Sequence, residues 1–144
     1  MKLSTKYHGI REYQQEDIIT FNKGIPGFEG LRKFILFTVE DNNIFSILHS
    51  IEDETIGIIL VSPFNVDKNY EFNLDDEIVS SLKINNPSQV LVLNTVTLNS
   101  DIKNITVNLK APIVINNELK LGEQVILDNE KYQVKHPLFT ENEK

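Results

Sequence analysis

A mainly β, small antiparallel barrel-like fold with one short helix, in a single domain spanning residues 1–144, is what this sequence predicts. Nine short runs rich in Ile, Val, Leu, Phe and Thr recur along the chain, bounded by Asn, Asp, Gly or Pro. The separators have turn chemistry: Asp41, Asn42 and Asn43; Asn99, Ser100 and Asp101; Asn116 and Asn117; Asp128, Asn129 and Glu130. Only one segment carries a helical period. Short strands at close spacing favour closure into a barrel or sandwich, with hairpins as most of the connections.

The strands are expected at residues 17–21, 33–39, 44–51, 55–61, 89–98, 105–109, 113–115, 124–127 and 132–134. Before the second lies GIPGFEG at residues 24–30, where Gly24, Gly27 and Gly30 permit positive φ and Pro26 fixes its own φ, so a tight turn is expected with Phe28 tucked beneath it. The helix is expected over 73–84. Asn73 is its N-cap, Asp75, Asp76 and Glu77 complement the dipole in its first turn, and Leu74, Ile78 and Leu82 make its apolar stripe. In TVNLKAPIVIN, residues 106–116, Ala111 and Pro112 break one strand from the next. The expected core includes Phe28, Phe34, Leu36, Leu48, Leu91, Leu93, Val107 and Leu109. The polar tail 140–144 is expected to fray.

Composition narrows the function classes. A chain of 144 residues can bury roughly 70% of its unfolded surface without staples. Cysteine is absent, so disulfides, thiolate metal sites and cysteine nucleophiles are excluded. The N-terminus lacks the apolar stretch of a signal peptide and no run reaches the roughly 18 apolar residues of a membrane span, so a cytoplasmic protein with no membrane partner is expected. A net charge of −7 repels phosphate backbones, which argues against direct nucleic-acid binding; it either serves solubility alone or suits a basic protein partner.

Catalytic and cofactor chemistry finds no support in the residues. His8, His49 and His136 are far apart in sequence, and His49 is expected at a sheet rim. The acidic clusters 52–54 and 75–77 fall in a turn and at a helix start, where solvation and the helix dipole explain them. No nucleophile elbow, phosphate-binding loop or dinucleotide fingerprint occurs. No metal, no cofactor and no enzymatic activity are expected. The stretch SPFNVDKNYEF, residues 62–72, leaves a strand at Pro63 and carries Phe64 and Tyr70 round a polar loop into the helix; either both rings cap the core or they form a partner surface with Pro63, to which Asp75 and Asp76 belong if the helix start faces the partner.

Five motifs in order, GIPGFEGLRKFIL, ILHSIEDETIGIILVSP with the following Tyr70, VLVLNTVTL, TVNLKAPIVIN and GEQVIL, resemble the flagellar assembly factor FliW family from Asp17 to about Phe139. Asn108, Ala111 and Pro112 match its strongest motif; Asn108 and Pro112 stand among the expected partner-binding positions, although a strand break with Pro at an edge is also what a barrel corner requires. Two positions depart from the pattern: Ile58 stands where an aromatic is common and His49 where Gln is common. The resemblance implies a β-barrel-like fold without enzymatic activity. It also implies two protein partners, flagellin and the translational regulator CsrA, whose repression of flagellin mRNA is relieved on binding. The rival readings are a small-ligand-binding β-barrel, which needs an apolar cavity with a few convergent polar groups, and a hydrolytic or isomerase-type enzyme, which needs perturbed titratable groups in a cleft.

Overall fold

A computed structural model of the chain describes residues 1–39 and 42–139, the backbone alone at 42 and 43; the expected turn residue Asp41 and the tail 140–144 lie outside these residues. Eleven strands and one α-helix follow in the order β1 (Lys2–Thr5), β2 (Gly9–Glu12), β3 (Ile19–Thr20), β4 (Lys33–Val39), β5 (Asn42–Ser50), β6 (Gly57–Val61), α1 (Asp76–Ser81), β7 (Val90–Thr97), β8 (Thr106–Val107), β9 (Ile113–Asn116), β10 (Leu121–Gln124) and β11 (His136–Pro137). Strands β3 to β6 and β7 pair in succession, β10 joins β3 to β9, and β9 returns to β7, so the hydrogen bonds run round a closed ring of seven strands. Every rung is antiparallel except β3 with β10, a single parallel pairing of Thr20 and Leu121. Strands β8 and β11 extend the sheet outward from the far end of β7.

The alternation of β4 and β5 fills the ring. Phe34, Leu48, Leu60, Leu93, Ile113 and Ile115 meet there with Ile19, Phe21 and Ile25, all buried. Phe21 and Phe34 pack edge to face with centroids 5.4 Å apart, near the preferred geometry for aromatic pairs. The close approach has a requirement at Gly122 of β10, where a Cβ would stand 2.5 Å from the Phe21 ring. A second cluster, with Val61, Tyr70, Val107, Leu109, Tyr132 and Leu138, fills the space under β8 and β11. Of the expected core, Phe34, Leu48, Leu93, Val107 and Leu109 are buried, whereas Phe28, Leu36 and Leu91 pack half-buried against the first cluster.

Several expectations are corrected. The residues at 132–134 form no strand, because Tyr132 is drawn inward and its hydroxyl both accepts from Glu71 N–H at 2.8 Å and donates to Glu71 C=O at 3.0 Å. The tenth strand starts and ends earlier than the expected 124–127; Val125 and Leu127 instead donate singly to Pro112 and Lys110 carbonyls at 2.9 and 2.8 Å. The helix is shorter than expected, and its cap is Asp75, whose carboxylate accepts from Ile78 N–H at 2.9 Å, not Asn73. Its C-terminal carbonyls at Leu82 and Lys83 are taken by the buried Asn116 amide at 2.8 and 3.3 Å, which fastens the helix end to β9.

The N-terminal hairpin β1–β2 is absent from the sequence reading, and it explains His49. That residue is 1% exposed instead of at a rim. His8, in the hairpin turn, sits edge-on to both the Phe37 ring at 5.8 Å and the His49 ring at 6.3 Å, and the Arg11 guanidinium lies 4.4 Å from the Phe37 centroid. The outer face of β4 and β5 is thereby covered.

Burial, then the neighbouring His49 and Arg11, hold the His8 imidazole below its ordinary value. The folded state therefore binds the His8 proton less readily than the unfolded chain. This contribution to stability is present above about pH 6.5 and is lost as pH falls through the depressed folded value. Thermal melts should show a decline in stability just below pH 6.5, before the carboxylates Glu52 and Asp53, themselves held low by backbone and side-chain hydrogen bonds, begin to protonate. His8→Gln should flatten that first decline. An unchanged profile in the variant would contradict the assignment.

Candidate functional site

An apolar groove of about 800 Å³ opens between the first half of β7, the segment after β6 and the stretch leading into α1. Val90, Leu91 and Val92 supply one wall, Phe64 and Phe72 another, and Leu74, Val79 and Ile84 the helix side, with Glu71 the sole ionised side chain in the lining. The wall at Phe64 exists because Pro63 opens a 3-10 turn, Pro63–Asn65, directly after β6, and Val66 N–H and Asp67 N–H both donate to the Pro63 carbonyl. That turn holds Phe64 outward, 56% exposed.

Tyr70 behaves otherwise. Of the two alternatives it takes the core one and is 3% exposed, because its ring packs at a tilt against Tyr132 at 4.5 Å and edge to face with Phe72 at 5.8 Å while Phe64 meets its outer edge at 6.4 Å. The Tyr70 hydroxyl donates to Leu109 C=O at 2.7 Å, and burial raises its pKa. Asn94, fully buried in β7, donates to Asn108 C=O at 2.8 Å and more weakly to the Tyr70 oxygen at 3.4 Å. Its side-chain oxygen, Oδ1, is buried without a hydrogen-bond partner.

The expected partner-binding residues thus divide. Phe64, at the surface, and Tyr70, below it, stand together at the groove. Pro63 is buried and shapes the turn. Asp75 and Asp76 are exposed at the helix start, and Asp75 also lines a second depression with Glu71, Phe72, Asn73 and Asp128. Asn108 and Pro112 lie beneath: Asn108 Oδ1 accepts from Lys110 and Ala111 N–H at 3.1 Å each, which makes the strand break, and Pro112 is buried beside it. Sequence reasoning missed Phe72, Leu74, Val79 and Val90, whose alternation reads equally well as core.

Among the described residues, no group of three or more His, Asp or Glu side chains is placed to hold a metal ion. No helix among them is long and apolar enough to cross a membrane. The interior of the ring is filled by Phe21, Phe34, Leu48, Leu60, Ile113 and Ile115, so the groove lies outside it.

The comparisons with known proteins agree on one family. The FliW protein family model matches residues 2–138. The flagellar assembly factor FliW of Clostridium novyi (strain NT) is 63% identical over 141 residues, covering 98% of this chain and 99% of that protein. Those of Clostridium botulinum (strain Okra / Type B1) and Clostridium kluyveri are 60% and 59% identical, over 98% and 96% of this chain and 99% and 96% of theirs. A crystal structure of the flagellar assembly factor FliW superposes with a TM-score of 0.90 at 40% identity, covering 98% of this chain and 99% of that one. By sequence over nearly its whole length and by fold, the chain belongs to the FliW family of flagellar assembly factors.

Proposed function

We propose that this protein is a cytoplasmic, non-catalytic switch that binds flagellin as a chaperone does and binds the translational regulator CsrA, lifting repression of flagellin mRNA without touching RNA. Free flagellin and CsrA contend for it, so that export of flagellin frees it to hold CsrA. The observation that carries this reading is an open apolar groove bordered by carboxylates, in a member of the FliW family with a net charge of −7. A basic, RNA-binding partner is complementary to such a surface. A ligand-binding barrel is less well supported, because side chains fill the ring.

Calorimetry on the purified protein and CsrA, with size-exclusion chromatography beside it, tests the pairing, and neither heat nor complex at about tens of micromolar would remove CsrA from the proposal. Complementary charge speeds encounter and is screened by salt, while apolar contacts hold the complex. Raising salt from about 50 to 500 mM should therefore slow association more than it hastens dissociation. Asp76→Lys, at an exposed position that makes no cap, should slow association likewise, whereas Glu16→Lys in the 3-10 turn before β3 should leave it unchanged. Equal effects from the two reversals would show that the helix start does not face the partner.

A further inference from the structure

Strand β7 is flanked unevenly. On one side its first half pairs with β9, Val90 with Asn116 through Leu93 with Ile113, and its end pairs with β8. On the other side β6 reaches only Asn94 and Thr95, because the chain turns away after Val61 into the Pro63–Asn65 turn. No strand among the described residues pairs with that remaining edge of residues 90–93. Alternate residues of a strand aim both N–H and C=O at opposite edges, so half of these backbone groups face away from β9. The groove runs along this edge, with Ser62 and Phe64 across from Val90, Leu91 and Val92.

We propose that this edge is a β-augmentation site, at which an extended segment of a partner protein adds as a strand beside residues 90–93. Main-chain hydrogen bonds supply the affinity, and alternate apolar side chains of the segment enter the groove beside Phe64, Phe72 and Leu74. A Lys or Arg at one end of the segment reaches the adjoining depression, which shares Glu71, Phe72 and Asn73 with the groove. That depression adds Asp75 and Asp128 to Glu71 and has no cationic side chain in its lining. An amphipathic helix could use the apolar walls, but it would cover the strand edge without pairing it, and a buried unpaired backbone group is costly. The edge selects an extended partner, whichever protein supplies it.

The test uses the full chain, isotope-labelled for NMR, and three capped peptides: alternating Val and Thr with an N-terminal Lys, the same peptide N-methylated on one backbone edge, and a helix-forming peptide of equal charge. The first should shift the resonances of residues 90–93 and of Phe64, and slow amide exchange at the outward-facing positions. The methylated peptide should bind at least about tenfold more weakly, the equivalent of one lost good hydrogen bond. Phe64→Ala, at an exposed ring, should weaken the first peptide severalfold, while Leu98→Ala, exposed beyond the end of β7, should not. Shifts confined to another face, equal binding of methylated and parent peptides, tighter binding of the helical peptide, or no shift at about 5 mM peptide would each overturn the proposal.

Discussion

Phe34→Ala should destabilise the protein by about 3–5 kcal/mol. The ring is fully buried, meets Phe21 edge to face at 5.4 Å, and sits in the strand that pairs with Ile19 on one side and Ser50 on the other. Truncation removes both the transfer free energy of the ring and its packing partners, and leaves a cavity that flanking strands fixed by hydrogen bonds cannot collapse to fill. Because such domains are stable by about 5–15 kcal/mol in all, this one change should lower the melting temperature by about 10 °C or more. Urea unfolding should report it as a shifted midpoint with an unchanged slope. A loss below about 1 kcal/mol would show that the ring of strands does not close around Phe34.

Gly24→Ala should cost about 2–5 kcal/mol, from two separable sources. Gly24 holds φ at +69°, a conformation that costs an L-residue about 1–2 kcal/mol. A Cβ there would also lie 2.7 Å from the Glu29 carbonyl oxygen and 2.8 Å from its Cα, both backbone atoms that cannot rotate aside. Overpacking of that kind adds about 1–3 kcal/mol. The turn contains its own controls. Gly27 has φ +91° with open space around its missing Cβ, so Gly27→Ala should show the strain alone; Gly30 has neither feature, and Gly30→Ala should be nearly neutral. Three equal losses would refute this division.

What the sequence made legible tracks how local the cause is. Strand β4 was readable to the residue, since alternation and the preceding glycine turn both act within a few positions, whereas Asn42 and Asn43, expected in the turn after it, belong to β5. The helix was placed, but its cap was not: Asn73 and Asp75 have equal capping chemistry, and the chain stays extended two residues longer, with Leu74 in the groove wall. The run 132–134 has strand propensity, yet the distant Glu71 backbone captures Tyr132. At the site, Phe64 was readable from the proline before it. Tyr70 stayed undecided between core and surface, because its burial depends on Leu109 and Tyr132, which come to it from 39 and 62 positions away. The open edge of β7 has no local mark at all. It follows from where β6 stops pairing, which only the closed ring determines.

The central claim, that this protein acts on translation by holding CsrA, meets its most direct test in a gel shift with flagellin leader RNA, purified CsrA and increasing amounts of this protein. The CsrA–RNA band should dissolve into free RNA, no new retarded band should form, and added flagellin should restore the original complex. Retardation of the RNA by this protein alone, or a CsrA–RNA band that persists at saturating protein, would contradict it.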